Sequence, residues 1–200
     1  MNDVSKYYDA LIDINNDPLL DPPPLRDYMD KWDGREFIEK MQLSKTKSVL
    51  EIGVGTGRLA IKVAPDCLKF TGVDISEKTI ERAKQNLFAF DNITLIKGDF
   101  LNIEFSETFH VIYSSLTFMH IKQKQIAICK VAALLKEGGI FVLSIDKNKN
   151  TILDAGISKI SVFPDNPSEI QNYIACAGLT VVEQFETEFA HIFISKKLKR

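Results

Sequence analysis

The feature that most constrains the fold of this chain is a glycine-rich turn between an apolar run and a helical pattern. The run is Ser48–Ile52, and the turn reads Glu51-Ile52-Gly53-Val54-Gly55-Thr56-Gly57. Glycine lets a backbone turn tightly and approach a ligand closely, and ligands of open α/β sheets bind at the carboxyl ends of the strands. The turn therefore predicts a strand, a turn and a helix with a nucleotide-type ligand at the strand end.

The residues after the third glycine exclude two common phosphate motifs. A P-loop requires Lys and then Ser or Thr after its last glycine, whereas Arg58 follows Gly57 here. The dinucleotide fingerprint GxGxxG requires a glycine where Arg58 stands. The motif is GxGxG preceded by Glu51, and Arg58 is interpreted either as a contact to a ligand carboxylate or as a solvated residue of the first helical turn.

Short apolar runs alternate with longer helical patterns from about Lys47 onward, and this alternation is typical of βαβ units on a parallel sheet. Apolar residues at three- and four-residue spacing predict helices over 57–64, 76–90 and 122–135. The runs predict five parallel strands, at 48–52, 69–74, 93–96, 110–113 and 140–145.

The C-terminal part departs from this alternation. A helical pattern over 168–177 precedes two apolar runs, 179–185 and 190–195, which only a few residues separate. A parallel crossover needs about a dozen residues, so these two strands are predicted to pair antiparallel at one edge of the sheet.

The segment 1–46 is predicted to be a helical cap on the sheet rather than a domain of its own. Its patterns indicate short helices over 7–12, 25–31 and 35–41, interrupted by Asp17-Pro18 and Pro22-Pro23-Pro24. A segment of about 45 residues with broken helices buries too little surface to fold alone. We therefore expect one structural domain, with the cap at 1–46 and the core at 47–200.

Charge and cysteine content exclude several functional classes. The net charge is −2, which disfavours a nucleic-acid partner, whose proteins are usually basic. The cysteines, Cys67, Cys129 and Cys176, fit neither a disulfide framework nor metal-ligand spacing, and we expect them to be buried small hydrophobes. No metal site, signal peptide or membrane span is predicted, and the expected location is the cytoplasm.

Four ordered motifs resemble those of the class I S-adenosylmethionine-dependent methyltransferases. The glycine turn is similar to the first motif, and Val73-Asp74-Ile75-Ser76 to the second. Gly98-Asp99-Phe100 looks like the third motif, and 109–121 looks like the fourth. The approach to strand five, 134–139, is similar as well, with Glu137 in place of the usual Pro. The resemblance covers about residues 47 to 146 and implies an α/β fold with a doubly wound, mostly parallel seven-stranded sheet and an antiparallel C-terminal edge pair.

The resemblance implies S-adenosylmethionine as the cofactor and S-adenosylhomocysteine as its product. It assigns the ribose hydroxyls to Asp74, the adenine amino group to Asp99, and the flanks of the ring to Ile75 and Phe100. Independently, Glu51, Asp74 and Asp99 would make the site negative, which favours a cationic sulfonium over a dinucleotide pyrophosphate. The predicted cofactor residues are Glu51, Gly53, Gly55, Gly57, Asp74, Ile75, Asp99, Phe100 and Ser115.

Three side chains are candidates for roles toward the methyl acceptor. His120 follows the fourth strand, where the substrate side of the family opens, and it is the candidate general base. The alternative is a loop histidine without a catalytic role, and His110 and His191 lie inside strands and are expected to be structural. Tyr28 and Trp32 are candidates for a lid or an acceptor pocket, with packing of the cap onto the sheet as the alternative.

The predicted function is transfer of a methyl group from S-adenosylmethionine to a nucleophilic atom of a small molecule. Methyltransferases of nucleobase amines carry an Asp- or Asn-Pro-Pro-aromatic sequence after the fourth strand, and Ser114-Ser115-Leu116-Thr117 lacks it. The alternatives are a non-catalytic module that binds S-adenosylmethionine and a nicotinamide-dependent oxidoreductase. The sequence leaves the acceptor, the methylated atom and the oligomeric state open.

Overall fold

The chain is built around a seven-stranded sheet in the order β3-β2-β1-β4-β5-β9-β8. The structure is a computed structural model that describes residues 3–156 and 158–199. The strands of this sheet are β1 (Ser48–Ile52), β2 (Lys69–Asp74), β3 (Ile93–Lys97), β4 (Phe109–Ser114), β5 (Leu135–Asp146), β8 (Thr180–Glu186) and β9 (Ala190–Lys196).

The first five strands are parallel, and β9 runs antiparallel to both of its neighbours, β5 and β8, which confirms the predicted mixed sheet. Strand β9 pairs with β5 from Ile140↔Lys196 to Asp146↔Ala190. The connection between β8 and β9 has only the residues 187–189, which is too short for a crossover.

Helices cover the sheet and join its parallel strands. In α5, Ser76 caps the helix by accepting a hydrogen bond from the Thr79 amide, as its position in the sequence predicts. The predicted helix at 57–64 begins later, at Ala60, and continues as a 3₁₀ turn at Ala64–Asp66. The helices are α1 (Asp3–Asp13), α2 (Pro23–Met29), α3 (Gly34–Glu39), α4 (Ala60–Val63), α5 (Glu77–Asn86), α6 (Lys124–Leu134) and α7 (Pro167–Cys176).

Both faces of the sheet are buried, as continuous apolar strands require. In β1, Val49 belongs to the core on one face, together with residues of α3, α4 and α5. The neighbouring Leu50 belongs to the core on the other face, together with residues of α6 and α7. Side chains alternate between the faces of a strand, so β1 connects the two cores at the centre of the molecule.

A small hairpin, β6 (Ile152–Asp154) and β7 (Lys159–Ser161), lies between β5 and α7 and was not predicted. Each strand has only three residues, too few for a readable alternation. Tyr7 of α1 packs against Ile160 and Val162, so the hairpin and the cap form one hydrophobic cluster. The cap therefore has its own contact with the second half of the chain.

The prediction that all three cysteines are buried is wrong for two of them. Cys67 is buried, but Cys129 on α6 and Cys176 on α7 are exposed. The residues of α6 and α7 that face the core, such as Val131 and Ile174, are buried, and the two cysteines lie on the opposite, solvent-facing sides of these helices. Within the described ranges, no helix is long and apolar enough to cross a membrane.

Candidate functional site

A cavity of about 1060 Å³ opens at the carboxyl ends of the parallel strands. The glycine turn, the ends of β2 and β3 and the segment after β4 form its floor, and α1, β7 and Phe163 form the opposite wall. Pockets for small molecules and cofactors usually measure about 300 to 1,000 Å³, so this cavity is at the upper end of that range.

The glycine turn is tied to the end of β2 by its backbone. The amides of Gly53 and Val54 both donate to the carbonyl of Val73, at 2.8 and 3.0 Å. Gly53 has φ +78°, a left-handed conformation that other residues rarely adopt. The third glycine, Gly57, lies outside the cavity, and a β carbon there would lie 2.9 Å from Cδ1 of Leu87. Gly57 therefore serves helix packing rather than direct contact with a ligand.

Asp74 points into the cavity with each carboxylate oxygen held by one backbone amide. Oδ2 accepts from the Gly55 amide at 3.0 Å, and Oδ1 accepts from the Ser76 amide at 2.9 Å. Burial raises the pKa of Asp74, and these amide hydrogen bonds oppose the rise. A carboxylate has about four acceptor positions, so lone pairs remain for two ligand hydroxyls.

Asp99 closes the turn after β3. Its Oδ1 accepts from the Leu101 amide at 2.9 Å, and its Oδ2 accepts from Nδ2 of Asn102 at 3.0 Å. The turn orients the neighbouring Phe100, which lines the cavity and is 5% exposed. The ammonium of Lys130 lies 5.2 Å from the centre of the Phe100 ring and donates to the Leu101 carbonyl, so the ring is held in place.

Glu51 lies under the glycine turn and is 3% exposed. The Tyr113 hydroxyl donates to its Oε2 at 2.8 Å. Burial raises the pKa of Glu51 well above its usual value, and Tyr113 and Arg58 oppose the rise. A cationic group that entered the cavity near Glu51 would favour its ionised form.

Arg58 lines the cavity, and two aspartates of the cap bind its guanidinium. Its side chain is 14% exposed, so the solvated alternative is wrong, and the contact to a ligand carboxylate stays a prediction. Both of its terminal nitrogens bind the carboxylate of Asp33, and Nη1 also donates to Oδ1 of Asp30 at 3.3 Å. Ser115, at the end of β4, donates to Oδ2 of Asp33 at 2.7 Å. The cap is thereby attached to the start of α4 and to the end of β4.

The sequence indicates for Asp17 only a turn at Asp17-Pro18. In the structure, Asp17 is 2% exposed and binds the glycine turn directly. The Thr56 hydroxyl donates to its Oδ1 at 2.7 Å. Asn86 of α5 donates to Oδ2 of Asp17 at 2.9 Å and to the carbonyl of Thr56 at 2.9 Å. The sequence carries a faint signal for this role, since Asp before Pro is typical of a turn that fixes its own backbone.

His120 lies in the cavity wall, paired with an aromatic residue of the cap. Its Nε2 is 2.8 Å from the Tyr8 hydroxyl, and the two rings meet edge to face at 5.4 Å. Burial and the nearby Lys124 charge lower the pKa of His120 to about 4, so the imidazole is neutral at physiological pH. Burial raises the pKa of Tyr8, so its phenol keeps its proton.

Tyr28 and Trp32 are outside the cavity lining. Their rings pack against Phe189, which lies in the connection between β8 and β9, at centroid distances of 5.4 and 4.6 Å. Ser144 also donates to the carbonyl of Trp32 at 2.7 Å. This position differs from the expected lid and matches the alternative, packing of the cap onto the sheet.

His110 and His191 occupy structural positions. Nδ1 of His110 accepts a hydrogen bond from the Ser48 amide at 3.0 Å, and Nδ1 of His191 lies 3.2 Å from Oε1 of Glu186. The described residues contain no group of His, Cys, Asp or Glu side chains that could hold a metal ion. The predicted residues that the fold brings together around the cavity are Glu51, Gly53, Gly55, Asp74, Ile75, Asp99, Phe100, Ser115 and His120.

Comparison with protein families gives a match to a methyltransferase domain over residues 43–176. A curated relative, an uncharacterized methyltransferase of Anoxybacillus flavithermus, is 36% identical over 121 residues, which cover 58% of this chain and 56% of the relative. The chain thus spans little more than half the length of this relative.

Solved structures share the fold over nearly the whole chain. The N-methyltransferase NodS of Bradyrhizobium japonicum, crystallised with S-adenosylhomocysteine, has a TM-score of 0.72 and 20% identity, and the match covers 98% of each chain. The [4+2]-cyclase SpnF has a TM-score of 0.76 and 12% identity over 98% of this chain and 95% of its own. At such identities the likeness concerns the fold alone, and the fold hosts more than one chemistry.

Proposed function

Because the chain belongs to the methyltransferase domain family, we propose that it transfers a methyl group from S-adenosylmethionine to a small-molecule acceptor. The family match confirms the resemblance of the sequence motifs. The observation that carries the proposal is the grouping of the glycine turn, Asp74 and Asp99 around one cavity. When bound, the cofactor supplies a methyl group on a cationic sulfur.

The residues present fit this cofactor. The free lone pairs of Asp74 match the two ribose hydroxyls, and Asp99 matches the exocyclic amine of adenine. Ile75 and Phe100 supply apolar surface for the ring, and Glu51 supplies negative charge for a cationic ligand. Asp33 and Asp30 pair with Arg58, so its positive charge is balanced within the cap.

The remainder of the cavity suits an acceptor with an apolar body. Its wall combines Val4 and Leu11 of α1, Ile160 of β7, Phe163 and Ile121. Methyl transfer depends mainly on holding the nucleophile in line with the sulfonium, and such positioning reaches effective molarities of about 10⁵ M or more. A wall built from separate segments of the chain, α1, β7, Ile121 and Phe163, provides that orientation and excludes water.

We propose that the pair of Tyr8 and His120 removes the proton that the acceptor loses on methylation. In the tautomer of neutral His120 that carries its proton on Nδ1, Nε2 accepts a hydrogen bond from the Tyr8 hydroxyl. Tyr8 can then take a proton from the acceptor as its own proton passes to Nε2. The lowered pKa of His120 makes it a weak base, which suits an acceptor that releases its proton after the methyl group has arrived.

Two other functions are compatible with a ligand site on this fold, and specific observations favour one of them and disfavour the other. The second candidate is a protein that binds the cofactor without methyl transfer, since the same fold in a [4+2]-cyclase shows that the fold hosts more than one chemistry. A nicotinamide-dependent oxidoreductase is disfavoured because Glu51, Asp74 and Asp99 would repel a pyrophosphate.

Calorimetric titration with S-adenosylmethionine, S-adenosylhomocysteine and NADH in parallel tests the proposal. We expect micromolar binding of the first two compounds and no binding of NADH. A screen of small amines, phenols and carboxylic acids with S-adenosylmethionine that is radiolabelled on its methyl group should then detect a methylated product. Binding without turnover of any acceptor class would favour the non-catalytic alternative. Binding of NADH alone would overturn the assignment.

A further inference from the structure

Two buried aspartates of the cap bind the two residues on either side of Gly57. Asp17 binds Thr56, and Asp33 binds Arg58. Both aspartate side chains are 0% exposed, and neither belongs to the cavity lining. They therefore act on the glycine turn from behind rather than on a ligand.

Asp17 uses both of its oxygens to connect the cap, the turn and α5. Oδ1 accepts from Oγ1 of Thr56 at 2.7 Å and from the Leu19 amide at 3.1 Å. Oδ2 accepts from Nδ2 of Asn86 at 2.9 Å and from Nη1 of Arg82 at 3.3 Å. Hydrogen bonds from these groups lower the pKa of Asp17 against the effect of its burial, so the carboxylate is charged.

Asp33 makes the second connection, and each of its carboxylate oxygens also accepts two hydrogen bonds. Oδ1 accepts from the Gly34 amide at 2.8 Å and from Nη1 of Arg58 at 3.1 Å. Oδ2 accepts from Nη2 of Arg58 and from Oγ of Ser115 at 2.7 Å. Paired hydrogen bonds between a guanidinium and a carboxylate fix orientation as well as distance.

The glycine turn needs such external support. Glycine loses more conformational freedom on folding than any other residue, and three glycines lie within five positions here. All three adopt positive φ, at +78°, +56° and +101°. A turn of this composition keeps one conformation only where neighbouring groups hold it.

We propose that Asp17 and Asp33 are positioning residues that hold the glycine turn in its cofactor-binding conformation from the cap. This inference rests on the proposed function, since the ligand of the turn is taken to be S-adenosylmethionine. It makes Asp17 and Asp33 part of the cofactor site although neither lines the cavity. Apparent affinity falls in proportion to the fraction of molecules whose turn is correctly formed.

The test compares Asp17→Ala and Asp33→Ala with Asp13→Ala. Asp13 is the control because it also joins the cap to α5, through an ion pair of 2.5 Å with Lys78. Its side chain is 58% exposed, whereas those of Asp17 and Asp33 are fully buried. Two quantities are measured: the Kd for S-adenosylhomocysteine and the amide hydrogen exchange of residues 53–58 without ligand. We expect at least about a tenfold rise in Kd and faster exchange at 53–58 for both test variants.

A gentler variant covers the case in which Asp17→Ala unfolds. Asn86→Ala removes the bridge between Asp17 and the Thr56 carbonyl but leaves the buried carboxylate with Thr56, Leu19 and Arg82. We expect faster exchange at 53–58 and a smaller rise in Kd, while exchange of the central strands stays unchanged.

The outcomes separate this proposal from the proposed function. If the wild-type chain fails to bind S-adenosylhomocysteine, the proposed function fails, and exchange at 53–58 still decides whether the aspartates hold the turn. If folded variants keep wild-type exchange at 53–58 and wild-type affinity, the aspartates only attach the cap, and the positioning role is wrong. A change of the same size in Asp13→Ala would also overturn it.

Discussion

Gly53 and Thr117 lie so close that a β carbon at Gly53 would fall 1.9 Å from Oγ1 of Thr117. The glycine turn and the segment after β4 can therefore meet only where position 53 has no side chain. This contact brings the glycine turn and the segment that carries His120 into one cavity, because Thr117 lies three residues before His120.

Gly53→Ala is expected to destabilise the protein severely. The new methyl group would clash with Thr117 and would force alanine into φ +78°. We expect a loss of about 3 kcal/mol or more in the free energy of unfolding, measured with urea. Gly55→Ala is the control, since its φ is +56° but no atom lies within 4 Å of the added carbon. It should cost only about 1 to 2 kcal/mol, and equal losses for both variants would contradict the steric argument.

Asp74→Ala and Asp99→Ala should each weaken the binding of S-adenosylmethionine by about 1 to 3 kcal/mol, because each removes hydrogen bonds from a buried ligand. Calorimetry on the folded variants measures the change. Asp74→Ala also frees the Gly55 amide of the glycine turn, whereas the groups that Asp99→Ala frees, the Leu101 amide and Asn102, lie outside that turn. The effect of Asp74→Ala should therefore be the larger of the two. Unchanged affinity in a folded double variant would show that the cofactor binds elsewhere.

His120 should make stability depend on pH between about 4 and 6.5. Its pKa is about 4 in the folded chain against 6.5 in an unfolded one, so the unfolded state binds more protons in this range. Stability is therefore present above pH 6.5 and is lost as the pH falls. We expect a loss of about 1 to 2 kcal/mol in the free energy of unfolding between pH 7.5 and 5.

His120→Asn removes that titration, so the difference between its pH profile and that of the wild-type chain isolates the histidine. The same variant should slow turnover while it leaves cofactor affinity nearly unchanged. If the two stability profiles run parallel, the imidazole titrates normally and is not buried as described.

Lys124 and Asp165 form a buried ion pair with Nζ 2.8 Å from Oδ1. Lys124 also donates to the carbonyls of Phe118 and Phe163, so it joins two parts of the acceptor wall. Lys124→Met leaves Asp165 without a counter-charge and should cost about 3 to 5 kcal/mol of stability, measured by urea unfolding. Lys124→Met with Asp165→Leu should cost less than the single change. A larger loss in the double variant would mean that Asp165 stabilises the fold through contacts other than that with Lys124.

Trp32 is the single tryptophan of the chain and packs on Phe189 outside the cavity. Its fluorescence should therefore change little when S-adenosylhomocysteine binds. Trp32→Leu should keep cofactor affinity within about twofold but lower the free energy of unfolding by about 2 to 4 kcal/mol through lost packing. A large fluorescence change on binding would restore the lid role that the sequence suggested.

Much of the site was predictable because it lies at the ends of strands. Asp74 and Asp99 each follow a short apolar run, and the carboxyl ends of parallel strands meet at one edge of a sheet. The spacing of the apolar runs therefore predicts that both carboxylates lie near the glycine turn. The hairpin of β6 and β7 escaped prediction because three-residue strands carry no readable period.

The interactions of the cap could not be predicted in the same way. Asp17 binds Thr56 at a separation of 39 residues, and Tyr8 meets His120 at a separation of 112 residues. Neither pair leaves a trace in local periodicity, which reports the burial of one element at a time. An Asp before Pro or Gly reads as an ordinary turn whether or not its carboxylate binds a distant residue.

The order of the longer strands and helices, the antiparallel edge and the position of the glycine turn after β1 were determined by the sequence alone, since each depends on residues close together in the chain. Which side chains meet across the cavity was decided only by the tertiary structure. That packing buries His120 and lowers its pKa, neutralises Arg58 with Asp33, and moves Trp32 away from the site. Charge, burial and pKa depend on neighbours in space, and only the folded chain specifies those neighbours.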